Sequence, residues 1–408
     1  MKKRILALFL TAAFIFALTS CRSEETRTQG VTETKVTVAN SAATSGFFAV
    51  VGIPFNAGIV SYFRMVNEGW GGVDGRTIEF LHIDDEADPV KGKAALTGFV
   101  EDDRVFAIVG ALGTPVVSAI VDDLRDYGIP AVYFASAIND LYADNATTNA
   151  EGYNLFPVQP YYVTEGRIMA AYAAGMFGAS KVGVIYTNDD AGMDLFTGIT
   201  RQAELIDGLE IVAMQVPAGA PDVSAAVTSI RNADVDFIIV ASIQITMPTI
   251  IKELAAQSVN VDVITSYVNV ALAQSAAVVE DIEGKFDVYG LGWVNMDDPE
   301  AMEVYLQWIP EEFAANSFAI AGWIAGHFFT EGLVRLEGKD VTWESYMAAL
   351  EEAPINAPFG GAVDFANGQR VGVQEMNLSR IVPATDEFPL GWEPVAPFES
   401  VNSLLGLE

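Results

Sequence analysis

From Lys35 onward, apolar and polar positions fall into short runs that alternate between the strand period and the helix period. Val36-Thr37-Val38-Ala39, Thr77–Ile83, Val105–Val109 and Ile129–Phe134 are compact apolar runs rich in β-branched or aromatic residues, which predicts strands. Between them, Gly52–Glu68 carries an apolar stripe at helical spacing, and Gly69–Gly75 supplies tight turns. Asp88-Pro89 and Thr114-Pro115 each predict a helix start, with the polar residue as N-cap and proline in the first turn. A second series follows: strands at Lys181–Tyr186, Leu209–Gln215, Phe237–Ala241 and Val261–Thr265, helices at Gly192–Ile206, Asp222–Asn232 and Pro248–Gln257. This alternation predicts an α/β chain with two doubly wound parallel sheets. In such sheets ligands sit outside the carboxyl ends of the strands. The predicted mouth of the first sheet is Ser41–Phe48, Ala111–Thr114 and Ala135–Asn139; that of the second is Asn188–Ala191, Ser242–Thr246 and Ser266–Val270. If the two units face each other, these loops line one cleft.

The first residues break this rhythm. Lys2, Lys3 and Arg4 precede a fourteen-residue stretch, Ile5–Leu18, in which only Thr11 is polar, and Leu18-Thr19-Ser20-Cys21 follows. Basic, apolar, then small residues is the order of a secretory signal. Ending on cysteine, it resembles the lipobox of bacterial lipoproteins, which implies cleavage before Cys21 and acylation of that residue. Two or more acyl chains anchor stably, because each buried methylene contributes about 0.8 kcal/mol. Residues 1–20 are thus expected to be a signal peptide and 21–34 a flexible tether, with the rest working outside the cytoplasmic membrane.

Composition narrows the function. The 408 residues suit two lobes, and 51% hydrophobic residues suffice for packed cores without disulfides, which a single cysteine cannot form. Lysine and arginine number 22 against 54 acidic residues; without Lys2, Lys3 and Arg4 the balance is 19 against 54, or −35. So acidic a surface repels phosphate backbones, which argues against nucleic-acid partners. The apolar stretches Phe47–Phe63 and Phe318–Phe329 are interrupted or short and read as core helices. No Cys/His cluster suits zinc, no Walker loop appears, and His82 and His327 are read as structural. The run Asp84-Asp85-Glu86-Ala87-Asp88 lacks the glycine and distal glutamate of a calcium loop and reads as a strand end plus helix cap. Neither a cofactor nor an enzymatic activity is expected.

Many short segments in one order carry a family resemblance: Ser45-Gly46 through Gly52, Tyr62–Glu68, Gly72–Arg76, Asp84-Asp85 with Asp88-Pro89, Ile108-Val109-Gly110, Gly128-Ile129-Pro130, Gln159-Pro160-Tyr161, Glu165–Ile168, and Tyr186 with Asn188-Asp189-Asp190. The chain resembles the type I periplasmic binding proteins of the branched-chain amino acid (Leu/Ile/Val) class, the solute-binding components of ABC importers. The resemblance implies two Rossmann-like lobes joined by three crossover strands, expected near Phe156–Pro160, Tyr289–Trp293 and Gly372–Glu375. The lobes are then 35–157 plus 291–372, and 158–290 plus 373–408. It also implies a monomer that carries a small molecule to a membrane permease. A sensor presenting the same ligand to a chemoreceptor or kinase is the alternative.

Thr114 is the foremost site candidate, since a hydroxyl at a helix N-terminus is suited to an anion, and the family uses a hydroxyl there for the ligand carboxylate. Ser136 follows on the neighbouring strand as a second donor. Leu112, Gly113, Ala135 and Ala137 flank them; amino-acid binders usually have threonine where this chain has Ala137. From the second lobe the family brings an acidic side chain to the ligand ammonium, and the matching residue here is Tyr267. That departure implies a ligand that need not be an amino acid. The set Gln159-Pro160-Tyr161 and Asn188-Asp189-Asp190 is similar to a subgroup taking aliphatic and aromatic carboxylates. Phe318 matches an aromatic that packs on the ligand, and Phe48, Tyr161, Ala191, Ile243, Gln244 and Asn269 complete the candidates.

Overall fold

A computed structural model describes residues 29–407 apart from Phe47, Thr148, Asn149 and Asp297. The signal, Cys21 and the first part of the tether lie outside the described residues. Residues 29–34, expected to belong to that tether, are fixed to the globule. Gln29 Nε2 donates to Val105 O (3.0 Å), Arg76 Nε donates to Thr32 O (3.0 Å), and Val31 bridges to Val36.

The first half of the chain lays down β1 (Lys35–Ala42), α1 (Ala49–Arg64), β2 (Thr77–Asp84), α2 (Pro89–Thr97), β3 (Ala107–Leu112), α3 (Thr114–Tyr127), β4 (Ala131–Ala135) and β5 (Leu155–Phe156). The five strands are all parallel, in the order β2-β1-β3-β4-β5. Next come α4 (Tyr162–Gly175), β6 (Lys181–Thr187), α5 (Asp190–Ala203), β7 (Glu210–Val216), α6 (Ser224–Ala233), β8 (Phe237–Ala241), α7 (Thr246–Ala256), β9 (Val263–Thr265), α8 (Leu272–Ile282) and β10 (Val288–Gly292). Their parallel order β7-β6-β8-β9-β10 repeats that of the first sheet. In both, the order reverses between the first and third strands, the place where open α/β sheets bind ligands.

After β10 the chain returns to the first lobe as α9 (Pro299–Trp308) and α10 (Ser317–Val334), then α11 (Trp343–Glu351) and the short ribbon of β11 (Ile355–Asn356) with β12 (Ala362–Val363). It crosses back into β13 (Glu375–Ile381) and β14 (Trp392–Ser400), which extend the second sheet beyond β10. These two strands run antiparallel, so the second sheet is mixed rather than wholly parallel as expected. β13 is buried through most of its length between β10 and β14, whereas β14 at the sheet edge is largely exposed or half-buried.

Helix α10 is buried through most of its length and packs on α1. The contact is close enough that a Cβ on Gly322 would stand 1.9 Å from Phe55 O, and one on Gly58 would stand 2.0 Å from Ala319 O. The apolar stripe of α1 therefore belongs to the core rather than to a bilayer. The carboxylate run after β2 also acts locally. Asp84 accepts from Thr44 N and Glu86 N, Asp85 accepts from Ala87 N, and Asp88 caps α2 through Val90 N at 2.7 Å. His327, half-buried between Tyr62 OH (3.0 Å) and Asn356 O (2.9 Å), is pushed down to about 4 by partial loss of solvent.

Candidate functional site

The first strand end of interest is the β3–α3 junction. Thr114 is not the N-cap its sequence suggests. Gly113, at φ 93°, takes that position, and Thr114 is the first helical residue, with no side-chain cap bond. Glycine reaches this left-handed geometry without steric cost, so the turn closes one residue early. The threonine hydroxyl is thereby released and lies 3.0 Å from Ser136 Oγ, both groups being buried. Tyr162, at the start of α4, lines the same cavity as Thr114. The Thr114 N–H also belongs to the first turn of α3, where Gly113 N is taken by Ala135 O, Val116 N by Gly113 O, and Pro115 has no N–H. Hydroxyls from both lobes and a helix N-terminus thus converge.

A second hydrogen-bond chain spans the lobes. Tyr267 OH donates to Gln159 Oε1 (3.0 Å), and Gln159 Nε2 donates to Tyr133 OH (2.8 Å). Gln159 lies in the segment between β5 and α4, and Tyr142 OH fixes it by donating to its carbonyl at 2.8 Å. Tyr133 sits inside β4 at φ 61° beside Gly110 of β3 at φ 77°, where the strand register skips from Val109↔Val132 to Ala111↔Phe134. A tyrosine at positive φ costs on the order of 1–3 kcal/mol and persists where the surroundings over-determine it. Here the bond to Gln159 and the packing on Phe55 at 6.0 Å do so.

Between the lobes lies a cavity of about 120 Å³. Val51 and Phe55 of α1, Phe318 and Ala321 of α10 and Leu112 form one wall; Ile243, Val268, Val270, Trp293 and Met296 form the other. Thr114, Gln159, Tyr162, Gln244, Tyr267 and Ser317 are its polar side chains, and among the described residues none that lines it is acidic, basic or histidine. Behind Tyr267 stands Glu165, fully buried. It accepts from Tyr267 N (2.6 Å) and from the Ser266 hydroxyl (3.0 Å). Burial pushes its carboxyl up to about 8 although both hydrogen bonds pull it down, so at neutral pH it is mostly uncharged. At the rim, Asn139 N of the first lobe donates to Asp194 Oδ2 of α5 at 2.7 Å. Burial raises Asp194 to about 6 against the opposing pull of the Asn139 N–H, while Asp190 and Asp140 add to the rise and Arg201 also opposes it.

Eight of the sequence candidates meet in this cavity wall: Leu112, Gly113, Thr114, Ala135, Ile243, Gln244, Tyr267 and Phe318. Ser136 stands behind it, bonded to Thr114. The remaining five lie elsewhere. Ala137 is buried and accepts from Tyr162 N through its carbonyl (3.0 Å), Tyr161 stacks on Tyr142 at 4.7 Å, and Phe48 is half-buried at the start of α1. Ala191 is enclosed in α5, where Asp189 is the N-cap through Gly192 N. Asn269 is buried and donates to Ser242 O and Thr265 Oγ1 (both 2.8 Å), while its Oδ1 takes Gln244 N at 2.7 Å. It holds Gln244 at φ 53° on the cavity wall.

Val51, Phe55, Gln159, Tyr162, Trp293, Met296 and Leu390 line the cavity without having been singled out as candidates. Val51 and Phe55 share a helical face at i, i+4, which the periodicity of α1 already contains. Gln159 and Trp293 lie on two expected crossovers. Leu390 comes from the β13–β14 arm, to which the strand–helix rhythm gives no clue.

The sequence model of the periplasmic binding protein family matches residues 35–386. An amino acid binding protein of Pseudomonas aeruginosa is 22% identical over 256 residues, which span 62% of this chain and 65% of that protein. Among solved structures, a branched chain amino acid ABC transporter from Thermus thermophilus with bound valine superposes with a TM-score of 0.77 at 16% identity, covering 92% of this chain and 98% of the other. A fatty acid ABC transporter substrate-binding protein from Thermomonospora curvata gives 0.75 at 18% identity, covering 93% and 96%.

Proposed function

The chain belongs to the type I periplasmic binding proteins of the branched-chain amino acid class, solute-binding proteins that work outside the cytoplasm, and we propose that it captures a small carboxylic acid lacking an ammonium group. The observation that carries this reading is a cavity wall with no charged side chain among the described residues. An α-amino acid would bury its ammonium there with no counter-ion, a loss of several kcal/mol. Glu165 is engaged by Tyr267 N and Ser266, and Asp189 Oδ1 by Gly192 N and the Thr187 hydroxyl. A carboxylate, by contrast, meets the first turn of α3 and the hydroxyls of Thr114 and Tyr162. Bonds from such donors to a charged group contribute about 1.5–3 kcal/mol each. The volume fits a ligand head of a few heavy atoms, since a protein cavity of about 150 Å³ holds a benzene ring.

Contacts made from both lobes favour the closed form when ligand is present. The bridge Tyr267–Gln159–Tyr133 supplies part of that closure. The closed receptor would then dock on an ABC permease, held near it by lipid on Cys21. The test is a thermal-shift panel that sets valine and leucine against 3-methylbutanoate and 4-methylpentanoate. A ligand at one hundred times its Kd stabilises by about 2.7 kcal/mol. Stabilisation by the acids supports the reading; stabilisation by the amino acids alone overturns it.

A further inference from the structure

Next to the inner cavity runs a groove of about 840 Å³ between α9 and the β13–β14 arm. The two spaces share Val270, Gly292, Val294, Met296 and Leu390 in their walls, so they adjoin at the point where β10 leaves the second sheet. Gly292 has no side chain to occupy that neck. Asn377 Oδ1, a buried acceptor without a hydrogen-bond donor, stands over it, 2.3 Å from where a Cβ would be. Beyond the neck the wall carries Met302 and Leu306 on the α9 side and Phe388, Trp392 and Phe398 on the arm, with Asp386, Glu387, Asn295 and Ser379 interspersed among the apolar side chains. The hydroxyls and helix start that suit a carboxylate, Thr114 and Tyr162, line the inner cavity, whereas Asp386 and Glu387 in the groove would repel one.

We propose that the ligand is an elongated carboxylic acid, its head against Thr114 and its apolar tail passing Gly292 into this groove. The proposal rests on the carboxylate reading and adds the tail. An inner cavity of about 120 Å³ encloses only the head of such a molecule, while the groove is several times larger and offers Met302, Leu306, Phe388, Trp392 and Phe398 to methylenes. A hydroxyl or amide N–H carried by the chain near the neck would satisfy Asn377 Oδ1. The occupant is fixed by continuity: whatever fills the groove from the inner side enters past Gly292 and is joined to the head.

Isothermal titration of the whole protein with straight-chain saturated acids from C4 to C12 tests this, together with Leu306→Asp. Leu306 is 49% exposed on the outer wall, so the substitution replaces an apolar contact by a carboxylate at little risk to folding. Past the length that the inner cavity holds, Kd is expected to fall up to fourfold per added methylene. Leu306→Asp is expected to weaken the C10 acid at least tenfold and to leave butanoate within twofold. If short acids bind and Kd is flat or rises with length, the tail is refuted while the carboxylate reading stands. If the gain with length survives Leu306→Asp unchanged, the groove assignment is refuted. Binding by no acid of any length removes the carboxylate reading itself.

Discussion

Replacing Glu165 by glutamine should remove a strong pH dependence from the stability of the second lobe. The carboxyl has no solvent exposure, and its folded pKa of about 8 compares with 4.5 for the free side chain. Between those limits the native protein holds a proton that the unfolded chain has released. Stability from this group is therefore complete below about pH 4.5 and is lost as pH rises through about 8. One pH unit of such a gap corresponds to about 1.4 kcal/mol, so the whole interval amounts to about 4–5 kcal/mol. Glutamine is isosteric with the neutral acid. Its Oε1 can still accept from Tyr267 N, and its amide nitrogen can donate to Ser266 Oγ once that hydroxyl, which donates to Glu165 in wild type, rotates to accept.

The measurement is urea unfolding of wild type and Glu165→Gln at intervals from pH 5 to pH 9. The many surface carboxylates titrate alike in both proteins and cancel in the difference. At pH 5 the two should agree within about 1 kcal/mol. By pH 9 the variant should be more stable by several kcal/mol, because wild type must either carry a buried anion or open around it. Parallel pH profiles would refute the reasoning, since they would mean that Glu165 ionises in the native state at its ordinary pKa.

Thr114→Ala combined with Ser136→Ala should weaken binding of the proposed carboxylate by a few kcal/mol, about two or three orders of magnitude in Kd; unchanged affinity by calorimetry would displace the carboxylate from this corner. Asp194 joins the lobes through Asn139 N, and its pKa is raised to about 6 in this closed arrangement. The closed form thus holds a proton that an open, solvated Asp194 gives up, and this contribution to closure is lost as pH rises through about 6. Small-angle scattering of the ligand-free protein should show compaction between pH 8 and pH 5, and Asp194→Asn should flatten that profile; equal slopes in the two proteins would rule the contact out as a determinant of closure.

Much of the architecture was legible because it is local. Phe237–Ala241 reads as a strand from its five apolar residues and is one, and Asp88-Pro89 predicts the cap and first turn that the side chain of Asp88 makes. The β13–β14 arm was less legible, since its strands pair antiparallel at the edge of a sheet whose other members come from much earlier in the chain. Thr114-Pro115 shows the limit of a local rule. Proline in the first turn was read correctly, but the glycine before it could take the left-handed cap, and that freed the threonine for Ser136 across the strand.

The candidate site divides along the same line. Residues at strand ends, such as Leu112, Ala135 and Ile243, were found by counting strands, because the carboxyl edge of a parallel sheet is a topological property. Gln159, Trp293 and Leu390 escaped because they sit where the chain passes between the lobes or returns beside them, and no periodicity marks such places. Asn269 fails in an instructive way. It lies in the right loop, but its carboxamide is spent on Ser242, Thr265 and Gln244, so it shapes the wall from behind by holding Gln244 in a left-handed turn. The same bonds give the wall its rigidity. Tyr267 occupies the position where the family resemblance leads one to expect an acid, and it uses its hydroxyl on Gln159 and its N–H on Glu165. A lone Tyr267→Glu substitution would therefore place a second carboxyl near Glu165 and break the bridge to Tyr133. Conversion to an amino-acid site would require changes at all three positions together.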